Sequence, residues 1–148
     1  MPKSVRAGFT LIEVPMNSPD PIDSIVRLAA AWSERMVVGA GTVLSVHQVE
    51  AVAQAGGQLI VAPNTSPDVI RRAAELGLQA APGFATATEA FTAMAAGARH
   101  LKLFPAVAYG PAYLKQLKAV LPPAATVWAV GGVGPDSLAP WWAAGARA

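Results

Sequence analysis

His100-Leu101-Lys102-Leu103-Phe104-Pro105 is a short apolar run, stopped by proline, with one lysine at its centre. A buried amine is costly unless its chemistry is used or its head reaches water. On a strand the side chains alternate between faces, so His100, Lys102 and Phe104 share one side and Leu101 and Leu103 the other. The leucines are then expected to meet a layer of helices, with Lys102 facing whatever the strands enclose. A lysine that snorkels to water from a strand end is the competing reading.

Outward from this stretch the chain repeats itself. Helix-to-strand junctions with a glycine recur at Ala7-Gly8, Ala55-Gly56, Leu76-Gly77, Ala96-Gly97 and Ala144-Gly145, with successive spacings of 48, 21, 20 and 48 residues. The spacing implies a unit of roughly 20 to 24 residues with two junctions lacking the glycine. Glycine there suits the left-handed cap that ends a helix. Each junction leads to an apolar strand and each strand to a helix-start signal. The strands are expected at 10–14, 36–40, 58–62, 78–81, 100–104 and 126–130. The helix starts are expected at Ser18-Pro19, at a capping box from Ser45 to Gln48, at Ser66-Pro67, at a second box from Thr86 to Glu89, and near Gly110-Pro111 and Gly134-Pro135. Alternating strands and helices predict a parallel α/β fold. Short strands apolar on both faces favour a closed (β/α) barrel, with the open doubly wound sheet as the alternative. The chain starts at the end of an expected helix, Pro2 to Ala7, and stops at Gly145-Ala146-Arg147-Ala148, where another strand is expected. Six of eight βα units are therefore expected, as an incomplete or open barrel.

Composition narrows the function classes. The 148 residues are one domain's worth, 53% apolar with mean hydropathy +0.40 and only 14% charged. No apolar run approaches the roughly 20 residues of a membrane span. Lys3 and Arg6 precede an apolar segment broken at Glu13, which does not read as a signal peptide, so a cytoplasmic location is the expectation. Cysteine is absent, excluding disulfides and thiolate metal sites. The net charge is +2, and the basic residues are scattered rather than striped with aromatics, which argues against nucleic acid.

In a parallel barrel the functional face lies at the strands' carboxyl ends. Glu13, in Ile12-Glu13-Val14-Pro15, and Lys102 both sit late in their strands, between apolar neighbours. An inward lysine loses water, keeps a free amine at lower pH and serves as a Schiff-base nucleophile. A carboxylate across the mouth can shuttle its protons. The alternative for this pair is a structural ion pair closing the core. Val130-Gly131-Gly132-Val133 presents bare N–H groups before a helix, as a phosphate site does and as any tight turn also does. Gly39-Ala40-Gly41-Thr42 offers a hydroxyl at the mouth or a simple turn. His47 reads as solvated and His100 as a satisfied bottom-layer residue, without metal spacing between them. Lys115 and Lys118 read as surface charges on a helix whose apolar side is Leu114, Leu117, Val120 and Leu121. Trp141 and Trp142 cannot both face the core, and one is a candidate subunit contact.

The motifs Ile12-Glu13-Val14-Pro15-Met16-Asn17-Ser18-Pro19, Gly39-Ala40-Gly41-Thr42-Val43-Leu44, Ala62-Pro63-Asn64, Pro82-Gly83 with Thr86-Ala87-Thr88-Glu89-Ala90, Leu101-Lys102-Leu103-Phe104-Pro105 and Val130-Gly131-Gly132-Val133 resemble, in order and spacing, the 2-keto-3-deoxy-6-phosphogluconate/6-phosphogalactonate aldolases. The resemblance implies a class I aldolase on a (β/α)₈ barrel, homotrimeric, using neither metal nor cofactor. It implies that Lys102 is the Schiff-base lysine and Glu13 the general acid/base. Thr42, Pro63 and Phe104 then line a pyruvate pocket, while Gly131 and Gly132 form part of a phosphate site. Asn17 and Val130 resemble the galactonate branch, since the gluconate branch usually carries arginine and threonine there. The implied reaction is reversible cleavage of a phosphorylated sugar acid to pyruvate and glyceraldehyde 3-phosphate, with the gluconate substrate or a non-catalytic phosphate-binding fragment as alternatives. The family's carboxylate-binding arginine and its Gly-Ser phosphate loop have no counterpart in these 148 residues. A single gap edged by two unpaired strands, and poor activity of the chain alone, are the corresponding expectations.

Overall fold

A computed structural model describes residues 8–147 of the chain, and the helix end expected at Pro2 to Ala7 lies outside them. The elements are β1 (Leu11–Pro15), α1 (Pro21–Trp32), β2 (Val37–Gly41), α2 (Val46–Gln54), β3 (Leu59–Val61), α3 (Pro67–Glu75), β4 (Gln79–Ala81), β5 (Gly83–Phe84), α4 (Ala87–Ala95), β6 (His100–Leu103), α5 (Ala106–Lys118), β7 (Thr126–Ala129) and α6 (Leu138–Ala143). All strand pairs are parallel, in the order β1-β2-β3-β4 and β5-β6-β7. The fourth strand forms where expected, as β4, and a further two-residue strand that was not expected, β5, follows it. Pro82, which has no N–H to give the ladder, divides them. The sheet nevertheless continues across the break: Ala62 N–H donates to Ala81 O, Lys102 N–H to Pro82 O at 2.8 Å and Phe104 N–H to Phe84 O.

The five junction glycines all adopt positive φ, from 73° at Gly77 to 111° at Gly97, which explains the repeat. The Thr86–Glu89 capping box forms in full. At Ser45 the side chain caps Gln48 N–H, but Gln48 Oε1 reaches Leu44 N–H at 2.7 Å, one residue earlier than a capping box requires. Two expected helix starts differ. α1 begins at Pro21 with Asp20 as cap, because the Ser18 hydroxyl is taken by Pro15 O at 2.6 Å. α5 begins at Ala106 and is interrupted at Gly110 (φ 80°, ψ 165°), so Gly110-Pro111 restarts a helix already under way.

Helices bury one face against the outside of the sheet in two halves. Ile25, Val38, Val49, Val52, Ile60 and Ala73 form the core beneath α1, α2 and α3. Phe84, Ala90, Leu101, Leu103, Leu114 and Val127 form the core beneath α4, α5 and α6. On the inner face, Leu59, Val61 and Ala81 pack with Leu11, Val37 and Trp128, so β7 curls toward β1 around a shared interior. Between the outer edges of β1 and β7 lies a cavity of about 360 Å³ lined by Phe9, Leu11, Trp128, Val130 and Arg147 among others. This is the expected gap. Val120 is 59% exposed because α5 ends at Lys118, before it, and Lys118 is no free surface charge, since its Nζ donates to Ala125 O at 2.9 Å. Trp141 is buried and Trp142 exposed. None of the helices among the described residues is long and apolar enough to cross a membrane.

Candidate active site

β6 runs between β5 and β7, with Leu101 and Leu103 fully buried behind it, so Lys102 is carried to the inner face. At 6% exposure it is the one buried charged residue among those described. Burial pushes its pKa below the ordinary lysine value, and the Glu13 carboxylate partly offsets the shift. Nζ lies 4.7 Å from the centroid of the Phe104 ring, whose face favours the ammonium form.

Glu13 enters from the middle of β1, where its backbone pairs with Gly39 of β2. Burial raises its pKa, and the field of Lys102 lowers it by less. Its Oε2 is buried with no hydrogen-bond partner. The ion pairs among the described residues all involve arginine, so Lys102 and Glu13 sense one another without closing a salt bridge. A structural ion pair sealing the core is therefore not what holds them. For each group burial outweighs attraction, which brings amine and carboxylic acid closer in proton affinity and eases transfer between them.

The remaining residues singled out in the sequence occupy the same end of the sheet. Phe104 and Pro105, joined by a cis peptide, end β6, and the Gly131-Gly132 loop packs against them. A Cβ on Gly131 would lie 3.1 Å from the Phe104 ring, and Gly131 O accepts from Val107 N–H at 3.0 Å. Both glycines hold positive φ, 92° and 75°. Thr42, following β2, also adopts positive φ (56°), an unusual conformation for a β-branched residue that costs about 1–3 kcal/mol and is typical of functional loops. Pro63 follows β3 and backs onto Gly83, where a Cβ would stand 2.8 Å from Asn64 N. Asn17 lies exposed in the turn after β1, and Val130 faces the β1–β7 cavity. The structure thus joins Phe104 to Lys102, Gly131 to Phe104, and Glu13 to Lys102 through its field.

Two residues differ from their sequence readings. His100 stacks on Trp128 at 5.2 Å, but its Nδ1 is buried without a partner, so it is packed rather than satisfied. Gly41 lies beneath the Glu13 carboxylate: a Cβ built there would fall within bonding distance of Oε2 and 2.8 Å from Oε1. The readable signal was the Gly-Ala-Gly spacing, which puts Gly39 and Gly41 on one face of β2. His47 is exposed, and the described residues contain no group of three His, Asp or Glu able to hold a metal.

Comparison with known proteins fits this geometry. Residues 3–148 match the aldolase family described as KDPG and KHG aldolase. The 2-dehydro-3-deoxy-6-phosphogalactonate aldolase of Escherichia coli K12 is 53% identical over 141 residues, covering 95% of this chain and 69% of the relative. A solved structure described as native KDPGal superposes with a TM-score of 0.94 at 53% identity, over 96% of this chain and 69% of the other. A KDPG aldolase from Legionella pneumophila, solved with pyruvate captured as a covalent carbinolamine, gives 0.81 at 26% identity, over 89% and 64%. An inward lysine and carboxylate on a curled parallel sheet, with a family match along nearly the whole chain, lead to one conclusion: the chain belongs to the KDPG and KHG aldolase family.

Proposed function

We propose that this site cleaves 2-dehydro-3-deoxy-6-phosphogalactonate reversibly to pyruvate and D-glyceraldehyde 3-phosphate through a Schiff base on Lys102. The observation that carries the reading is a buried lysine, its pKa lowered by desolvation, within the field of a carboxyl group whose pKa is raised. The free amine of Lys102 attacks the C2 ketone to give a carbinolamine, which loses water to become an imine. Glu13 delivers the proton that lets water leave and then accepts the proton of the C4 hydroxyl. The C3–C4 electron pair moves into the protonated imine, giving the pyruvate enamine and releasing the aldehyde. Protonation at C3 and hydrolysis return the amine. In this reading Thr42, Pro63 and Phe104 bound the pyruvate end, and the N–H groups of Gly131 and Gly132 meet the phosphate. Asn17 and Val130 contact the part of the sugar acid that differs between the two epimers.

The galactonate substrate is favoured by the 53% identity to an enzyme named for it, against 26% for the Legionella gluconate enzyme. Pyruvate release from the two epimeric substrates tests it. A higher kcat/KM for the galactonate epimer is expected, and a clear preference for gluconate would reverse the assignment. A homotrimer in the cytoplasm is the assembly we propose, with exposed Trp142 as one contact; sedimentation of wild type against Trp142→Ala checks it.

A further inference from the structure

We propose that Gly41 is a positioning residue of this site: the Cβ it lacks leaves the slot that holds the Glu13 carboxylate on the enclosed face of the sheet. The inference rests on the acid–base role proposed for Glu13. All three of the heavy atoms nearest to a Cβ at position 41 belong to that carboxyl group. Gly41 does not adopt a left-handed φ, so its backbone is one that alanine accepts without strain. Glycine is required here by a neighbouring side chain and not by the chain's own geometry.

The other glycines of the mouth differ. A Cβ on Gly39, two residues earlier on the same face, would stand 2.9 Å from the Leu59 carbonyl carbon, so the β3 backbone excludes it. Gly131 and Gly132 need positive φ. Substituting any of these disturbs the fold, whereas the atoms nearest to a methyl at 41 all belong to the carboxyl group. That carboxylate has no hydrogen bond on Oε2 to resist displacement, and a glutamate side chain has several staggered rotamers to move between. Once displaced it regains water, and the burial that raises its pKa is lost. Lys102 on β6 is the charged group that acts on it from across the enclosed face, and the β2 residues beside it, Gly39 and Gly41, carry no charge.

The test has a titration arm and a kinetic arm on Gly41→Ala. In protein carrying ¹³C-carboxyl glutamate, the chain's five glutamates give five carboxyl resonances, and that of Glu13 is the one lost in Glu13→Gln. Glu13 is expected to titrate above the ordinary glutamate range in wild type and within it in Gly41→Ala, with thermal unfolding unchanged or raised. In the kinetic arm, deuterium exchange into the methyl group of pyruvate falls on the order of 100-fold in Gly41→Ala and in Glu13→Gln. Shortening the acid by one methylene, about 1.5 Å, withdraws it from the new methyl. Gly41→Ala/Glu13→Asp is therefore expected to exchange faster than Gly41→Ala, although Glu13→Asp alone is slower than wild type. A merely structural glycine gives no such rescue. If Gly41→Ala leaves the Glu13 titration where it is in wild type, the slot proposal is overturned. If Glu13→Gln exchanges at the wild-type rate, the acid–base assignment fails instead, whatever the titration shows.

Discussion

Lys102 and Glu13 are both carried inward on parallel strands, yet they are held in different ways. Lys102 sits on β6, paired on both sides, with Leu101 and Leu103 fully buried behind it in a core that includes Phe84, Leu114 and Val127. Glu13 sits on β1, which pairs only with β2 among the described residues, and its strand neighbours are half-buried. The lysine is pinned by what packs behind its strand. The carboxylate is placed by what is missing in front of it, the Cβ of Gly41. Two facing ionisable groups can thus differ in mechanical support, so perturbations should separate them.

The largest effect is expected at Lys102. Lys102→Ala should lower turnover on the order of a thousandfold or more, while the β6 core keeps the protein folded; steady-state kinetics with circular dichroism checks both. Glu13→Gln should cost about 100-fold to 10,000-fold in kcat, read from pyruvate release at saturating substrate. In stability the asymmetry should appear as Leu101→Ala destabilising by about 2–5 kcal/mol and Ile12→Ala, on the half-buried edge strand, by less than about 2, measured by urea unfolding. Equal costs at both positions would break the comparison. The smallest mutational effects are at the caps, where Thr86→Ala, which removes a complete capping box, should cost about 1 kcal/mol and Ser45→Ala somewhat less.

Proton linkage separates the two groups further. A raised carboxyl pKa means that the folded protein binds more protons than the unfolded chain between the ordinary glutamate value and its own. Glu13 therefore contributes stability at low pH that is lost as pH rises through that window. Lys102, with its pKa lowered, binds fewer protons folded than unfolded between its own value and the ordinary one, so stability rises with pH there. Unfolding free energies across pH should lose the first slope in Glu13→Gln and the second in Lys102→Met.

Much of this was legible in the residues. The junction glycines marked the helix ends because positive φ at such sites is costly for any other residue, and strand alternation set Lys102 on the face opposite Leu101 and Leu103. The misplaced features have local causes. Pro82-Gly83 reads as a turn that ends the strand at Ala81, which hides the two-residue β5, and Ser18 resembles a cap although its hydroxyl donates to Pro15 O. Val120 fits the helical period of α5 but follows its last residue, so the pattern outlasts the helix. The role of Gly41 was hidden for another reason. A slot is made by two strands in register, Pro15 against Gly41 and Glu13 against Gly39, and no single stretch of sequence carries a register.

Borohydride reduction in the presence of pyruvate tests whether Lys102 is the nucleophile. The chain has four lysines, Lys3, Lys102, Lys115 and Lys118, so peptide mass mapping assigns the product without ambiguity. One reduced pyruvyl adduct is expected, on Lys102, absent from Lys102→Ala. An adduct on Lys3, Lys115 or Lys118 instead, or none on a folded chain, would contradict it.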